Sequence, residues 1–217
     1  MKHSTTILLI AVLAATPVLF SHAHADVLIG VKGGLTASDW WGKDAGGPDM
    51  KLGFLGGVFF TYMTHESFLL FNNFGIQSEL LYHRKGVKEA YRGVDIAWTL
   101  DYLEIPFLFK AEIPPTSSIS TGFLLIGPAF AFNISSKMKA EYLGESVEED
   151  AGDITSNMDI GLVLGLNVNF DIASIELVLD LRYTLGIMTI DDAGDAAVRN
   201  SALSFMAGVA LPFGSTE

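Results

Sequence analysis

The amino-acid sequence predicts an all-β fold: a single closed antiparallel barrel of about eight strands. Three observations carry this. Beyond residue 25 no apolar run reaches the roughly 20 residues that a membrane-spanning helix needs; the longest candidate, residues 123–134, contains Gly127 and Pro128. The chain instead alternates apolar and polar residues about eight times over, and period two marks a strand with two unlike faces. The connections between these segments alternate in turn between long and short.

The first 25 residues read differently. Lys2 and His3 precede an apolar core from Ile7 to Phe20, broken by Pro17, and Ala23-His24-Ala25 is a small-residue cleavage site. This is the pattern of a secretory signal, which puts the mature start near Asp26. The expected division is therefore a signal peptide at 1–25 and a barrel domain at 26–217. No Cys follows the apolar core, which argues against a lipoprotein anchor. An exported chain without Cys forgoes disulfides, so its stability must come from packing or from a membrane.

Taken in order, the first strand sets Val27, Ile29, Val31 and Leu35 against Lys32, Thr36 and Ser38. The second, about 52–64, is apolar on both faces, and its facing stays open. The third sets Ile76, Leu80 and Tyr82 against Gln77, Glu79 and His83, and the fourth sets Leu103, Ile105, Phe107 and Phe109 against Glu104 and Lys110. The fifth, about 121–136, is again apolar on both faces. The sixth sets Ile160, Leu162, Leu164, Leu166 and Val168 against Asp159, Asn167 and Asn169. The seventh is the clearest, with Ile175, Leu177, Leu179, Leu181 and Tyr183 against Glu176, Asp180, Arg182 and Thr184. The last sets Leu203, Phe205, Ala207, Val209, Leu211 and Phe213 against Ser204, Gly208 and Ala210.

Longer polar stretches, expected as loops, follow the odd strands at 39–50, 86–98, 137–155 and 186–200. Shorter ones follow the even strands at 65–73, 113–120 and 171–174. Short turns at one end and long loops at the other are the pattern of outer-membrane barrels, whose long loops face outside the cell.

Periodicity does not set which face points inward. A soluble lipocalin-like periplasmic binder would turn the apolar face in; a membrane barrel turns it out to lipid. Three features favour lipid. The strands run to ten residues or more, as a tilted crossing requires. Trp40, Trp41, Tyr62, Tyr82, Trp98 and Tyr183 sit near strand ends, where aromatic girdles form. The polar face carries charges of both signs. A formal charge of −12 beside a mean hydropathy of +0.39 also suits an apolar girdle with charged loops, and the acidic balance argues against nucleic acid as a partner.

An eight-stranded barrel is narrow enough for side chains to fill, so Lys32, Glu79, Glu104, Lys110, Glu176, Asp180 and Arg182 are expected to face the lumen. Buried charges are costly unless paired, which predicts a salt-bridge network in which Arg182 and the two lysines serve the carboxylates. The alternative use of such a lumen is a gated pore or proton path.

At this point several segments resemble the PorT-like family of outer-membrane β-barrel domain proteins. Phe74-Gly-Ile-Gln-Ser-Glu-Leu-Leu-Tyr-His-Arg-Lys-Gly86 resembles its third strand, and Leu100-Asp-Tyr-Leu-Glu-Ile-Pro-Phe-Leu-Phe-Lys110 its fourth. Gly122-Phe-Leu-Leu-Ile-Gly-Pro128 is similar to its fifth, Leu181-Arg-Tyr-Thr-Leu-Gly186 to its seventh and Gly30-Val-Lys-Gly-Gly-Leu35 to its opening strand. The resemblance implies a small barrel in the outer membrane of a Gram-negative bacterium. It implies no single activity and no catalytic residues; one member is tied to protein secretion. One departure is that Gly-Ser-Thr-Glu follows Phe213, the aromatic residue on which such barrels commonly end.

Catalysis finds little support. Beyond the signal there are two histidines, His65 and His83, and no Gly-x-Ser-x-Gly elbow. The acidic stretches Glu145 to Asp153 and Asp191 to Asp195 do not have calcium-loop spacing and are expected to be solvated. No cofactor is implied. The basic residues map to the loop end, and Arg84, Lys85, Lys88, Arg92, Lys137 and Lys139 form a candidate rim for the phosphates of lipopolysaccharide. The competing reading is that long loops simply hold more charge of both signs. The expected function is a structural or interaction protein whose loops meet lipid or a protein partner. The alternatives are a narrow channel or an accessory component of a secretion apparatus; an enzyme acting on membrane lipid is the weakest.

Overall fold

The computed structural model describes residues 25–64, 71, 73–91, 93–117, 120–191 and 196–213. Residues 1–24 of the expected signal peptide, His65 and Arg92 lie outside the described residues.

Nine strands follow in order: β1 (Ala25–Trp41), β2 (Asp49–Thr64), β3 (Phe74–Tyr91), β4 (Val94–Ser117), β5 (Ser120–Tyr142), β6 (Glu145–Asp150), β7 (Met158–Ile172), β8 (Ile175–Gly186) and β9 (Arg199–Phe213). Every pairing between them is antiparallel. β1 pairs with β9 and β4 with β5, so eight strands close on themselves and β6 hangs from the outer part of β5. The fold is an all-β closed barrel of eight antiparallel strands. Closure removes the free sheet edges that would otherwise present unpaired backbone groups.

The alternation decides the facing. On β7, Leu162, Leu164 and Leu166 are about half exposed, whereas Val163, Gly165 and Asn167, which alternate with them, are buried. The same split sets Ile29, Val31 and Leu35 outside and Lys32 and Thr36 inside on β1. The two strands left open by sequence follow suit. β2 turns Phe54 and Val58 outward and Leu55, Phe59 and Thr61 inward; β5 turns Ile126 outward and Leu125, Ala129 and Ala131 inward. The apolar face is therefore the outer one, which overturns the lipocalin-like alternative.

Two expectations need correction. The stretches 86–98 and 137–155 are largely strand, not loop: β3 and β4 run on to a turn at Gly93 (φ +83°), and β5 and β6 to a turn at Leu143 and Gly144 (φ +50° and +88°). Their outer parts, residues 88–90 and 141–150, are exposed, so nothing demands apolar alternation there, while backbone pairing continues. Trp40 and Trp98 also leave the girdle. Both belong to inward-facing rows, and their rings meet inside the loop-end mouth at 5.6 Å between centroids.

Candidate functional site: the filled lumen and its rim

The lumen is filled in layers. In the middle, Lys32 of β1 reaches Glu79 of β3 at 2.8 Å and Asp180 of β8 at 2.9 Å. Arg182 grips Glu79 with two parallel bonds, Nη1 to Oε2 and Nη2 to Oε1, both 3.0 Å, and donates from Nε to Asp180 Oδ1 at 2.9 Å. Such forked pairing gives Arg geometric specificity as well as strength. Gln77 donates to Glu79, and Thr61 donates to Gln77 at 3.0 Å. All four charged side chains are at most 1% exposed, so the layer shuts the bore with two cations against two carboxylates.

A second layer lies toward the hairpins. Glu104 Oε2 takes Lys85 Nζ at 2.7 Å and lies 3.0 Å from His83 Nδ1. His83 Nε2 in turn faces Thr36 Oγ1 at 3.3 Å, and Ser204 donates to the same hydroxyl at 3.0 Å. Above them Asn200 donates to Tyr102 Oη at 3.1 Å and to Asp159 at 2.9 Å. Over this sits an apolar cap in which Ile190 and Val198, from the segment between β8 and β9, pack on Leu100, Tyr102 and Ala131.

Lys110 and Glu176, expected in the network, stand apart from it. Lys110 donates to Gln77 at 3.3 Å and lies 4.2 Å from the centre of the Phe123 ring; among the described residues no carboxylate comes within ion-pair reach of it. Glu176 is next to the β7–β8 turn, half-buried, and takes a bond from Asn169 at 2.6 Å. Both line a cavity of about 200 Å³ at the turn end, with Asp26, Glu112 and Asp171. Setting His83 aside, the fully buried lumen charges among the described residues are Lys32, Lys85, Lys110 and Arg182 against Glu79, Glu104, Asp159 and Asp180, four of each sign.

The wall decides what surrounds the barrel. Its outer face is a belt of half-exposed Leu, Ile, Val and Phe on every strand of the ring, a surface that water would not tolerate over such an area and that lipid accepts. Residues 20–192 match the outer membrane protein beta-barrel domain family. The chain belongs to that family. Among solved structures, neisserial surface protein A is similar at 13% identity, with 86% of this chain and 97% of that one covered and a TM-score of 0.48. Ail, the attachment invasion locus protein of Yersinia pestis, solved with the heparin analogue sucrose octasulfate, is similar at 15% identity over 87% of this chain and 99% of that one, with a TM-score of 0.40. No curated protein matches the chain. The belt is thus the lipid-facing surface of an outer-membrane barrel.

Just above that belt the outward rows of β2, β3 and β5 carry Lys51, Arg84, Lys88, Lys137 and Lys139. Arg84 binds Asp101 through Nε at 2.7 Å and Nη2 at 2.9 Å, and lies 5.1 Å from the centre of the Phe54 ring. Lys51 donates to Trp98 O at 2.9 Å and to the Thr99 hydroxyl. On the β5–β6 hairpin Lys137 meets Glu148 at 2.7 Å, and Lys139 meets Glu141 at 3.2 Å. The Lys137–Glu148 hydrogen bond holds that carboxyl below its ordinary range and the ammonium above its own. Lys85 is a correction: it sits on the inward row of β3, 3% exposed, and is bound to Glu104 rather than standing on the rim. Its parity with Glu79 and His83 gave the signal that the rim assignment overlooked. Among the described residues no cluster of His, Asp and Glu has the geometry to hold a metal ion.

Proposed function

We propose that this outer-membrane barrel is a sealed structural and interaction protein: not a pore, not an enzyme, with hairpins outside the cell that meet lipid or a protein partner. The observation that carries the reading is the double closure of the bore, by the Lys32–Glu79–Asp180–Arg182 layer and by the Ile190–Val198 cap. Ions crossing it would have to break a salt-bridge cluster whose side chains are at most 1% exposed. Purified protein in planar lipid bilayers should therefore give no conductance steps; steady channels from the unaltered protein would overturn the reading in favour of a narrow channel.

The finer placement rests on the segments 74–86 and 100–110, which resemble the PorT-like branch, and on the N-terminal signal pattern, which implies export in a Gram-negative cell with cleavage near Ala25. A role beside a secretion apparatus would follow from that branch alone. The outward row of Lys51, Arg84, Lys88, Lys137 and Lys139 stands at headgroup height and suits the phosphates of lipopolysaccharide, since guanidinium and ammonium groups bind phosphate through charge-assisted hydrogen bonds. Carboxylates interleave with these cations, so a phosphate would share or displace existing pairs rather than meet bare charge.

A further inference from the structure

The outward face of the extended hairpins is a grid of charges with a low centre. On β4 that face runs Asp95, Ala97, Thr99 and Asp101, so its two middle positions are small. Ala97 stands opposite Lys88 of β3 on one side and Lys139 of β5 on the other; Thr99 stands opposite Gly86 and Lys137. Neighbouring strands lie about 4.8 Å apart, so the backbones of Lys88 and Lys139 flank Ala97 at roughly 10 Å from each other. Lys51 enters the same floor from β2. It crosses Gly86, where a Cβ would stand 3.2 Å from its Cδ, and donates to Trp98 O at 2.9 Å and to the Thr99 hydroxyl. A surface depression of about 450 Å³ lies over the outer part of this floor, with Lys88, Ala97 and Lys139 among its lining residues beside Asp49, Asp95 and Glu141.

Carboxylates surround the floor without neutralising every cation on it. Asp101 is held by Arg84, Glu148 by Lys137 and Glu141 by Lys139. Two cations are left over. Lys88 faces Asp49 in register yet makes no ion pair among the described residues, and Lys51 meets a carbonyl and a hydroxyl rather than a carboxylate. Burial and the charges of Arg84 and Lys88 hold the Lys51 ammonium below its ordinary range, with Asp101 opposing them. A lattice in which each cation had its own carboxylate would want no anion; this one lacks an anion on the Lys51–Lys88 side of Ala97.

We propose that the Ala97 floor, between Lys51, Lys88 and Lys139, seats one phosphate monoester of a membrane glycolipid. Ammonium groups bind phosphate through charge-assisted hydrogen bonds, and at Ala97 only a methyl group stands between the two flanking lysines. Toward the membrane the same outward rows continue into Phe54, Tyr82 and Leu103 of the belt, so an anion seated here belongs to a headgroup whose chains lie on that belt. The proposal rests on the reading that lipopolysaccharide meets the rim, and gives that reading one site.

The test measures binding of the detergent-solubilised full chain to immobilised lipopolysaccharide. Ala97→Glu puts a carboxylate on the floor and removes no cation. Asn157→Glu, at an exposed position just before β7, adds the same charge elsewhere. Ala97→Glu and Lys88→Gln should each weaken binding roughly fivefold, the upper worth of one exposed ion pair, and Asn157→Glu should leave it unchanged. Lipopolysaccharide stripped of phosphate by hydrofluoric acid should no longer tell Lys88→Gln from the unaltered barrel; a difference that survives would overturn the phosphate. Should Ala97→Glu fail to fold, Lys88→Gln, at an exposed position, still decides. If the unaltered barrel ignores lipopolysaccharide, the rim falls and the site with it. If the barrel binds and both substitutions at the floor leave binding intact, the rim stands and this site is overturned. Full competition by millimolar inorganic phosphate would also overturn it, in favour of a site for the free ion.

Discussion

Arg182 binds Glu79 and Asp180 at once, with all three side chains at most 1% exposed, and buried ions behave asymmetrically: breaking a pair from one side leaves an uncompensated charge. Arg182→Met is therefore expected to lower stability by about 3–5 kcal/mol, read as the midpoint of urea unfolding in lipid vesicles. Lys110→Met should be neutral or stabilising, because Lys110 is equally buried yet meets an amide oxygen and a ring face rather than a carboxylate, and an apolar side chain removes that desolvation. Equal losses for the two variants would show that the layer is not an ion-pair unit. The membership of the layer was legible in the sequence, since Lys32, Glu79, Asp180 and Arg182 all sit on polar rows of clear alternation. The pairing was not. The partners lie 47, 103 and 148 residues apart, and which of them meet across the bore depends on the stagger of the closed barrel, which no local pattern encodes.

At the scale of elements, the hairpins carry the interest. β3, β4, β5 and β6 continue beyond the belt as one sheet, with β6 as its free edge, and all six of its residues are exposed. Glu145, Glu148, Glu149 and Asp150 on that edge are the kind of charge that keeps an unpaired strand from adding a neighbour. The outward rows of β3 and β5 in the same sheet hold the rim cations. Converting Arg84, Lys88, Lys137 and Lys139 together to Gln should cut the lipopolysaccharide that co-purifies with the barrel several-fold, while Lys85→Gln, inside the bore, should leave it unchanged in whatever protein folds. Unchanged lipopolysaccharide in the fourfold variant would sink the rim. Sequence periodicity is an apolar signal, and a strand exposed on both faces need not alternate, so the outer hairpins look like loops in the sequence. Trp40 and Trp98 were misplaced for a related reason. Position near a strand end suggests a girdle, but row parity, with Ser38 and Leu100 turned inward beside them, decides which side an aromatic ring takes.

For the whole molecule, eight alternating segments were enough to give the strand count, and closure followed from the need to leave no edge in lipid. The sign of the barrel was the open question, and it turns on where the charges go. The fully buried lumen charges of the described residues stand four against four, so they add nothing to the formal excess of −12. The absence of Cys makes the sign of the barrel directly testable, because a single introduced thiol can carry a spin label. Labels placed one at a time along 162–167 of β7 in lipid bilayers should alternate: positions 162, 164 and 166 open to dissolved oxygen, and positions 163, 165 and 167 shielded from both oxygen and an aqueous nickel chelate by the filled bore. Loss of the alternation, or nickel access at the leucine positions, would contradict a barrel that turns its leucines to lipid and its salt bridges inward.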